Sequence, residues 1–120
     1  MTLGFTEIKN GKPTNFKEKI LSGEKIHTIR ENKKGRWRKG IILNFVTGSR
    51  TPQRNEFKTS SIISTQEITV NGSKVYIEGK LISDIAALAI NDGFSNAESF
   101  FEWFNGDFEG VIIHWTNYKY

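Results

Sequence analysis

The stretch that decides the fold is SIISTQEITVNGSKVYIEGKLI, residues 61–82. Two segments rich in β-branched residues, SIISTQEITV (61–70) and KVYIEGKLI (74–82), predict two strands. Between them lies Asn71-Gly72, a dipeptide that accepts positive φ at both central positions of a tight turn. Strands joined by so short a turn run antiparallel, so the chain is not an alternating βαβ protein.

The segments on either side of this hairpin predict the remaining elements. A helix is expected at Asn15–Ser22, with Thr14 as its N-cap and Gly23 at its end. Two more helices are expected, one over Asp84–Ile90 and one opening with the capping box Ser95–Glu98 and carrying a core-facing row of aromatic residues. The other predicted strands are IHTIR (26–30), IILNFV (41–46, buried on both faces) and GVIIHWTNY (110–118), and residues 47–60 are predicted to be an exposed loop.

This order of elements predicts an α+β fold. About five strands, mainly antiparallel, are expected to close into a small mixed β-barrel with two to three helices packed around it. The 120 residues lack repeats and low-complexity tracts, so residues 1–120 are interpreted as one domain.

Composition limits the classes of function. There is no cysteine, which excludes disulfides and thiolate chemistry, and no apolar run approaches the ~18 residues of a membrane span. The first residues lack the features of a secretion signal, so a cytoplasmic location is expected. Residues 1–58 hold 14 Lys and Arg against five acids, whereas the remainder holds three against eight. This polarity favours a polyanionic partner such as RNA.

The segment GEKIHTIR (23–30) is the main candidate site. Gly23 allows a sharp turn after the helix, and strand alternation places Thr28 and Arg30 on one face, near Lys25. An arginine fork can grip a phosphate or read a base edge, while a lysine in a dry pocket can serve as base or nucleophile. The structural alternative is an ordinary strand in which Arg30 pairs with Glu7, Glu31 or another acid.

A second candidate is KKGRWRK (33–39), in which a tryptophan lies among five basic residues. Basic groups neutralise phosphates and an indole can stack on an unpaired base, so this segment is a candidate for RNA binding. The residues concerned are Lys33, Lys34, Arg36, Trp37, Arg38 and Lys39. The alternative is a solvated turn with Trp37 packed on the core.

Other chemical signatures are missing. His27 and His114 lie far apart in the sequence, in separate strands and without a carboxylate at ligand spacing, so no metal is expected. Phosphate-binding loops, dinucleotide signatures and GxSxG elbows do not occur, and no cofactor is expected.

The chain resembles the ASCH domain, a member of the PUA-like superfamily of small β-barrels linked to RNA. The resemblance rests on the core Gly23, Lys25, Thr28, Ile29 and Arg30 and on the turn Asp92-Gly93-Phe94 before the aromatic helix. It runs through KEKILSGEKIHTIR (17–30), RKGIILNF (38–45), IAALAINDGFSNAESFFEWF (85–104) and VIIHW (111–115). Residues 48–60 do not match.

The resemblance implies binding of RNA or a modified nucleoside. It also implies an alternative, because one branch of the family looks like a metal-independent amidohydrolase that deacetylates N4-acetylcytidine with a lysine, a threonine and a glutamate. The first two fall on Lys25 and Thr28, and Asp92 stands in place of the glutamate, one methylene shorter. A third hypothesis is a non-catalytic protein-interaction module that uses the aromatic helix.

Overall fold

Two sheets carry most of the chain in the computed structural model, which describes all 120 residues. In chain order the elements are β1 (Thr2–Phe5), β2 (Ile8–Lys9), β3 (Lys12–Pro13), α1 (Phe16–Ser22), β4 (His27–Arg30), β5 (Ile42–Thr47), β6 (Asn55–Ser61), β7 (Ser64–Asn71), β8 (Lys74–Ile77), β9 (Lys80–Leu81), α2 (Ile85–Asn91), α3 (Ala97–Trp103) and β10 (Phe108–His114).

The smaller main sheet has the strand order β1-β5-β6, and the larger has the order β4-β10-β7-β8-β9. Strands β2 and β3 form a separate hairpin. All pairs are antiparallel except β1 with β5, so the predicted α+β class with mainly antiparallel strands is confirmed. No sheet closes on itself, and the predicted barrel is not found. Side chains from both main sheets and all three helices pack into one hydrophobic core.

The predicted hairpin at residues 61–82 is confirmed, with two differences. Asn71 pairs with Lys74, so the central turn residues are Gly72 and Ser73, and only Gly72 needs positive φ. The second segment is not one strand, because Glu78 and Gly79 both have positive φ and form another tight turn before β9.

The predicted loop over 47–60 is wrong in its second half. Strand β6 pairs with β5 from Asn55 onward, and Phe57 packs against the rings of Phe5 and Phe45. Because β6 is an edge strand with much of its surface in solvent, its sequence lacks the alternation that marks a half-buried strand. Strand β5 is also less buried than expected, since Ile42 is 55% exposed.

The helices follow the prediction with shifted caps. Helix α1 has Asn15 at the N-cap position without a side-chain cap, while the Thr14 hydroxyl donates to the carbonyl of Thr6 and accepts a long hydrogen bond from Phe16 N–H at 3.5 Å. Helix α2 is capped by Asp84, the first residue of the predicted segment, and α3 is capped by Asn96 instead of Ser95. Phe100 and Phe104 of the aromatic segment are buried in the core, whereas Phe101 and Trp103 are half-buried. No helix is both long and apolar enough to cross a membrane.

Candidate functional site

Lys25 is unusual among the buried residues, because it is charged and only 2% exposed. Gly23 ends α1 in the left-handed conformation, and the backbone then bonds to the end of α2 through Ile26 N–H and Asn91 C=O. This path directs the Lys25 side chain inward. Its ammonium donates to the carbonyl of His27 at 2.8 Å, to the carbonyl of Asp92, and to Asp92 Oδ1 at 3.4 Å.

Burial changes the acidity of Lys25. Loss of hydration lowers its pKa from 10.5 to about 8, and the attraction of the Asp92 carboxylate offsets only part of that effect. The ammonium also lies 4.9 Å from the centre of the Phe16 ring. A lysine in this state has an appreciable neutral fraction near physiological pH and can accept a proton.

Asp92 directly follows α2 and receives two hydrogen bonds on one oxygen. Oδ1 accepts from Lys25 and lies 3.1 Å from Nδ1 of His27, whereas Oδ2 makes no hydrogen bond within the chain. The next residue, Gly93, has φ 94°, and a Cβ there would lie 2.8 Å from Lys25 Cδ. A side chain at position 93 would therefore displace the lysine.

A series of buried hydrogen bonds runs behind Asp92. His27 Nε2 lies 2.6 Å from the Tyr120 hydroxyl, which also accepts from the Asn91 amide at 3.0 Å. Burial lowers the pKa of His27, so its ring is neutral and carries one proton. A consistent set of donors places that proton on Nδ1, towards Asp92, while Tyr120 donates to Nε2. Each group in this series of hydrogen bonds then donates in the direction of the carboxylate, which holds Asp92 in place.

The two histidines lie in separate strands, as predicted, but the fold makes them neighbours, and the Asp92 carboxylate, which the sequence spacing did not reveal, contacts His27. His27 pairs with His114 across β4 and β10, and their ring centres are 5.3 Å apart. His114 Nε2 contacts Gln66 Oε1. Burial lowers the pKa of His114 to about 4. Gln66 also bonds to the backbone N–H and C=O of Tyr120, which fixes that residue behind the site.

Lys25, Thr28, Arg30 and Asp92 line a single cleft of about 350 Å³. The sequence predicted that Thr28 and Arg30 share a strand face, and both indeed face this space. The Thr28 side chain is buried, yet its hydroxyl makes no hydrogen bond within the chain. Aromatic rings form much of the remaining wall, among them Phe5, Phe16, Phe94 and Trp103.

Arg30 does not pair with an acid, contrary to the structural alternative. Its guanidinium donates to the carbonyl of Gly4 at 2.6 Å and lies 5.4 Å from the centre of the Phe5 ring. Burial lowers its pKa, although a guanidinium remains charged at any physiological pH. Glu31 lies at the same cleft, but it points to solvent and forms only a long contact with Lys33. Arg30 therefore has N–H groups left for a ligand.

The basic segment 33–39 is separate from the cleft. Its five cations, Lys33, Lys34, Arg36, Arg38 and Lys39, are exposed, and none of them lines the cleft. Trp37 is 7% exposed and belongs to the hydrophobic core, so the alternative reading holds for this residue and its indole is not free to stack on a base.

Sequence reasoning missed His27, Asn91 and Tyr120. Asn91 could have been noticed, since it precedes Asp92 at a predicted helix end. Tyr120 carries no local signal, because it reaches the site only through the position of β10. No group of three His, Asp or Glu side chains is placed to hold a metal ion.

Comparisons of the chain with protein-family models, with curated proteins and with solved structures find no match. The geometry of the cleft therefore carries the functional inference. The cleft has aromatic walls, the guanidinium of Arg30, the Thr28 hydroxyl and the Asp92 carboxylate. The hydroxyl and one carboxylate oxygen have no hydrogen-bond partner within the chain. Such a set can hold a planar polar ring and can move a proton at its edge.

Proposed function

We propose that the cleft binds a pyrimidine nucleoside, free or as an unpaired residue of RNA, and that the preferred base is cytosine or a cytosine modified at N4. The observation that carries this proposal is the convergence of Lys25, Thr28, Arg30 and Asp92 on one aromatic-walled cleft. Unpaired bases are commonly held by stacking on aromatic rings and by hydrogen bonds to their edges.

The free oxygen of Asp92 selects the base. A carboxylate accepts a hydrogen bond from the exocyclic N4 of cytosine, whereas uracil has a carbonyl oxygen at that position. Arg30 supplies donors for the remaining acceptors of the ring or for the sugar. The resemblance of residues 17–30 to ASCH domains supports the same class of ligand, and on this proposal the two open sheets are a variant of the PUA-like barrel.

The test compares cytidine with uridine by calorimetric titration of the wild type, Asp92→Asn and Glu31→Gln. We expect the wild type to prefer cytidine by about tenfold, as one base-edge contact contributes about 1–3 kcal/mol of discrimination. Asp92→Asn should lose this preference. Glu31→Gln makes the same change at an exposed carboxylate of the cleft and should keep it. Equal binding of both nucleosides to the wild type, or no binding of either, would overturn the proposal.

A second candidate function is hydrolysis of an N4-acyl amide on the same base. The observation that favours it is the unpartnered Thr28 hydroxyl in the same cleft as a lysine whose pKa is about 8. Lys25 Nζ is already engaged with three acceptor atoms, so the threonine is the freer nucleophile.

The proposed steps balance as follows. Thr28 Oγ1 attacks the acyl carbon and its proton passes to neutral Lys25. The carbon–N4 bond then breaks, and N4 takes the proton from the Lys25 ammonium. Water hydrolyses the threonine ester and releases the carboxylic acid. Asp92 holds Lys25 in position throughout.

Loss of the N4-acetylcytidine absorbance measures this reaction. Thr28→Val and Lys25→Met should abolish it, and Glu31→Gln should retain it. Because Thr28 makes no hydrogen bond within the chain, Thr28→Val leaves no buried group without its partner and should not lower the free energy of unfolding. Folded wild-type protein that leaves the absorbance unchanged at high concentration would remove this candidate.

A further inference from the structure

A second groove, of about 300 Å³, lies beside the cleft and shares with it the wall made by Phe16, Phe94 and Trp103. Three lysines, Lys9, Lys12 and Lys19, line it, and they face a single acid, Glu102. The first cleft contains fewer cations than acids, so the groove is the more cationic of the two. The groove is separate from the basic segment 33–39, because no residue of that segment lines it.

Two of these lysines stand opposite each other in the β2–β3 hairpin. Lys9 pairs with Lys12 in the antiparallel register, which places their side chains on the same face of the ribbon. Like charges in this arrangement repel, and no carboxylate lies within ion-pair distance of either lysine. An anion bound between the two ammonium groups would be attracted to both and would offset their mutual repulsion.

The third lysine connects the groove to the cleft. Lys19 Nζ donates to the carbonyl of Gly93 at 2.8 Å, next to Asp92, and its other N–H groups make no hydrogen bond within the chain. Lys9 lies 4.7 Å from the ring centre of Trp103, the residue that separates the two spaces. The three cations therefore follow the cleft wall.

We propose that this groove binds the phosphodiester backbone of an RNA strand whose base occupies the neighbouring cleft. The inference deepens the proposed function and rests on it: the ligand is a strand and not a free nucleoside. Base and backbone would lie on opposite sides of the Phe16–Phe94–Trp103 wall. The hydroxyls of Ser95 and Ser99 at the groove supply further donors for phosphate or ribose.

The basic segment 33–39 fits this role less well. Lys33 lines two other depressions together with acids such as Glu31, Asp107 and Glu109, which reduce the local positive charge. None of the cations of the segment reaches the cleft.

The experiment compares cytidine with a pentanucleotide RNA that has cytidine at its centre. Binding is measured at several salt concentrations for the wild type, Lys9→Glu/Lys12→Glu and the control Lys33→Glu/Lys34→Glu. All four lysines are exposed, so both variants should fold, which circular dichroism checks. The two variants carry the same change in net charge, so they differ only in where that charge lies.

We expect the pentanucleotide to bind the wild type at least about tenfold more tightly than cytidine at low salt. The hairpin variant should lose this gain and leave cytidine binding unchanged. The slope of log affinity against log salt should become shallower by roughly 0.7 for each phosphate contact that is lost. The control should retain most of the gain.

Three outcomes would overturn the inference, and they differ in what they say of the cleft. If cytidine binds and the pentanucleotide binds no more tightly, the groove proposal fails and the proposed function stands. If the control weakens the pentanucleotide as much as the hairpin variant does, the backbone is held by general charge and not by the groove. If neither ligand binds, both proposals fail.

Discussion

Lys25→Met should change how the stability of the protein depends on pH. Burial moves the pKa of Lys25 from 10.5 in the unfolded chain to about 8 in the native protein. At about 1.4 kcal/mol per pKa unit, this difference corresponds to about 3 kcal/mol of folding free energy.

The sign follows from which state holds the proton. Between pH 8 and 10.5 the unfolded chain keeps the Lys25 proton and the native protein has lost it, so the free energy of unfolding rises with pH. The contribution of Lys25 is complete above pH 10.5 and is lost as the pH falls through about 8. Below that value, native Lys25 is charged and its desolvation reduces stability.

Urea unfolding at a series of alkaline pH values measures the effect. The wild type minus Lys25→Met difference should rise by about 3 kcal/mol across this window. Tyr120, whose pKa burial raises, is present in both proteins, so its contribution cancels. Lys17→Met is a matched control, because Lys17 lies outside the cleft, and it should keep the wild-type dependence.

A difference curve that stays flat across the window would refute the reasoning about Lys25. If Lys25→Met does not fold, the side-chain resonances of Lys25 in the wild type provide the same test by NMR titration. A midpoint near 8 supports the buried ammonium, and one near 10.5 contradicts it.

Three further changes test the packing around the site, each by chemical denaturation. Gly93→Ala should destabilise by about 2–5 kcal/mol, because it adds a clash with Lys25 to the strain of positive φ, whereas Gly23→Ala meets only that strain and should lose about 1–2 kcal/mol. Equal losses in the two would show that Lys25 can move aside. Tyr120→Phe leaves an imidazole nitrogen and an amide without their partner and should lose about 1–3 kcal/mol; an unchanged stability would contradict these hydrogen bonds. Trp37→Ala should lower the free energy of unfolding by about 3–5 kcal/mol, because Trp37 belongs to the core, and a loss below about 1 kcal/mol would contradict its burial.

The buried polar groups explain why so much depends on Lys25 and Asp92. Two ionisable side chains, each about 2% exposed, cost desolvation energy that a hydrophobic pair of the same shape would not. Their hydrogen bonds with His27 reduce this cost without removing it. Apolar residues at these two positions would make the protein more stable. Lys25 and Asp92 are therefore better explained by a role in the cleft than by a contribution to stability.

The sequence by itself determined the features that depend on neighbours along the chain. Gly72 set the hairpin of β7 and β8, and alternation in β4 put Thr28 and Arg30 on one face. Asp92 entered only through the ASCH resemblance, since nothing in its local sequence connects it to Lys25. The hairpin and the shared strand face could be predicted because turn chemistry and strand periodicity act over a few residues.

The tertiary structure alone decided which side chains stand behind the cleft residues and hold them in place. Strand β10 brings His114 beside His27, and Tyr120 then closes the back of Asp92, although 93 residues separate Tyr120 from its histidine partner. Edge pairing made β6 a strand, and packing took Trp37 into the core. Such outcomes depend on contacts between distant segments, and no local pattern records which segments will meet. The buried lysine follows the same rule, because only the folded chain removes Lys25 from water.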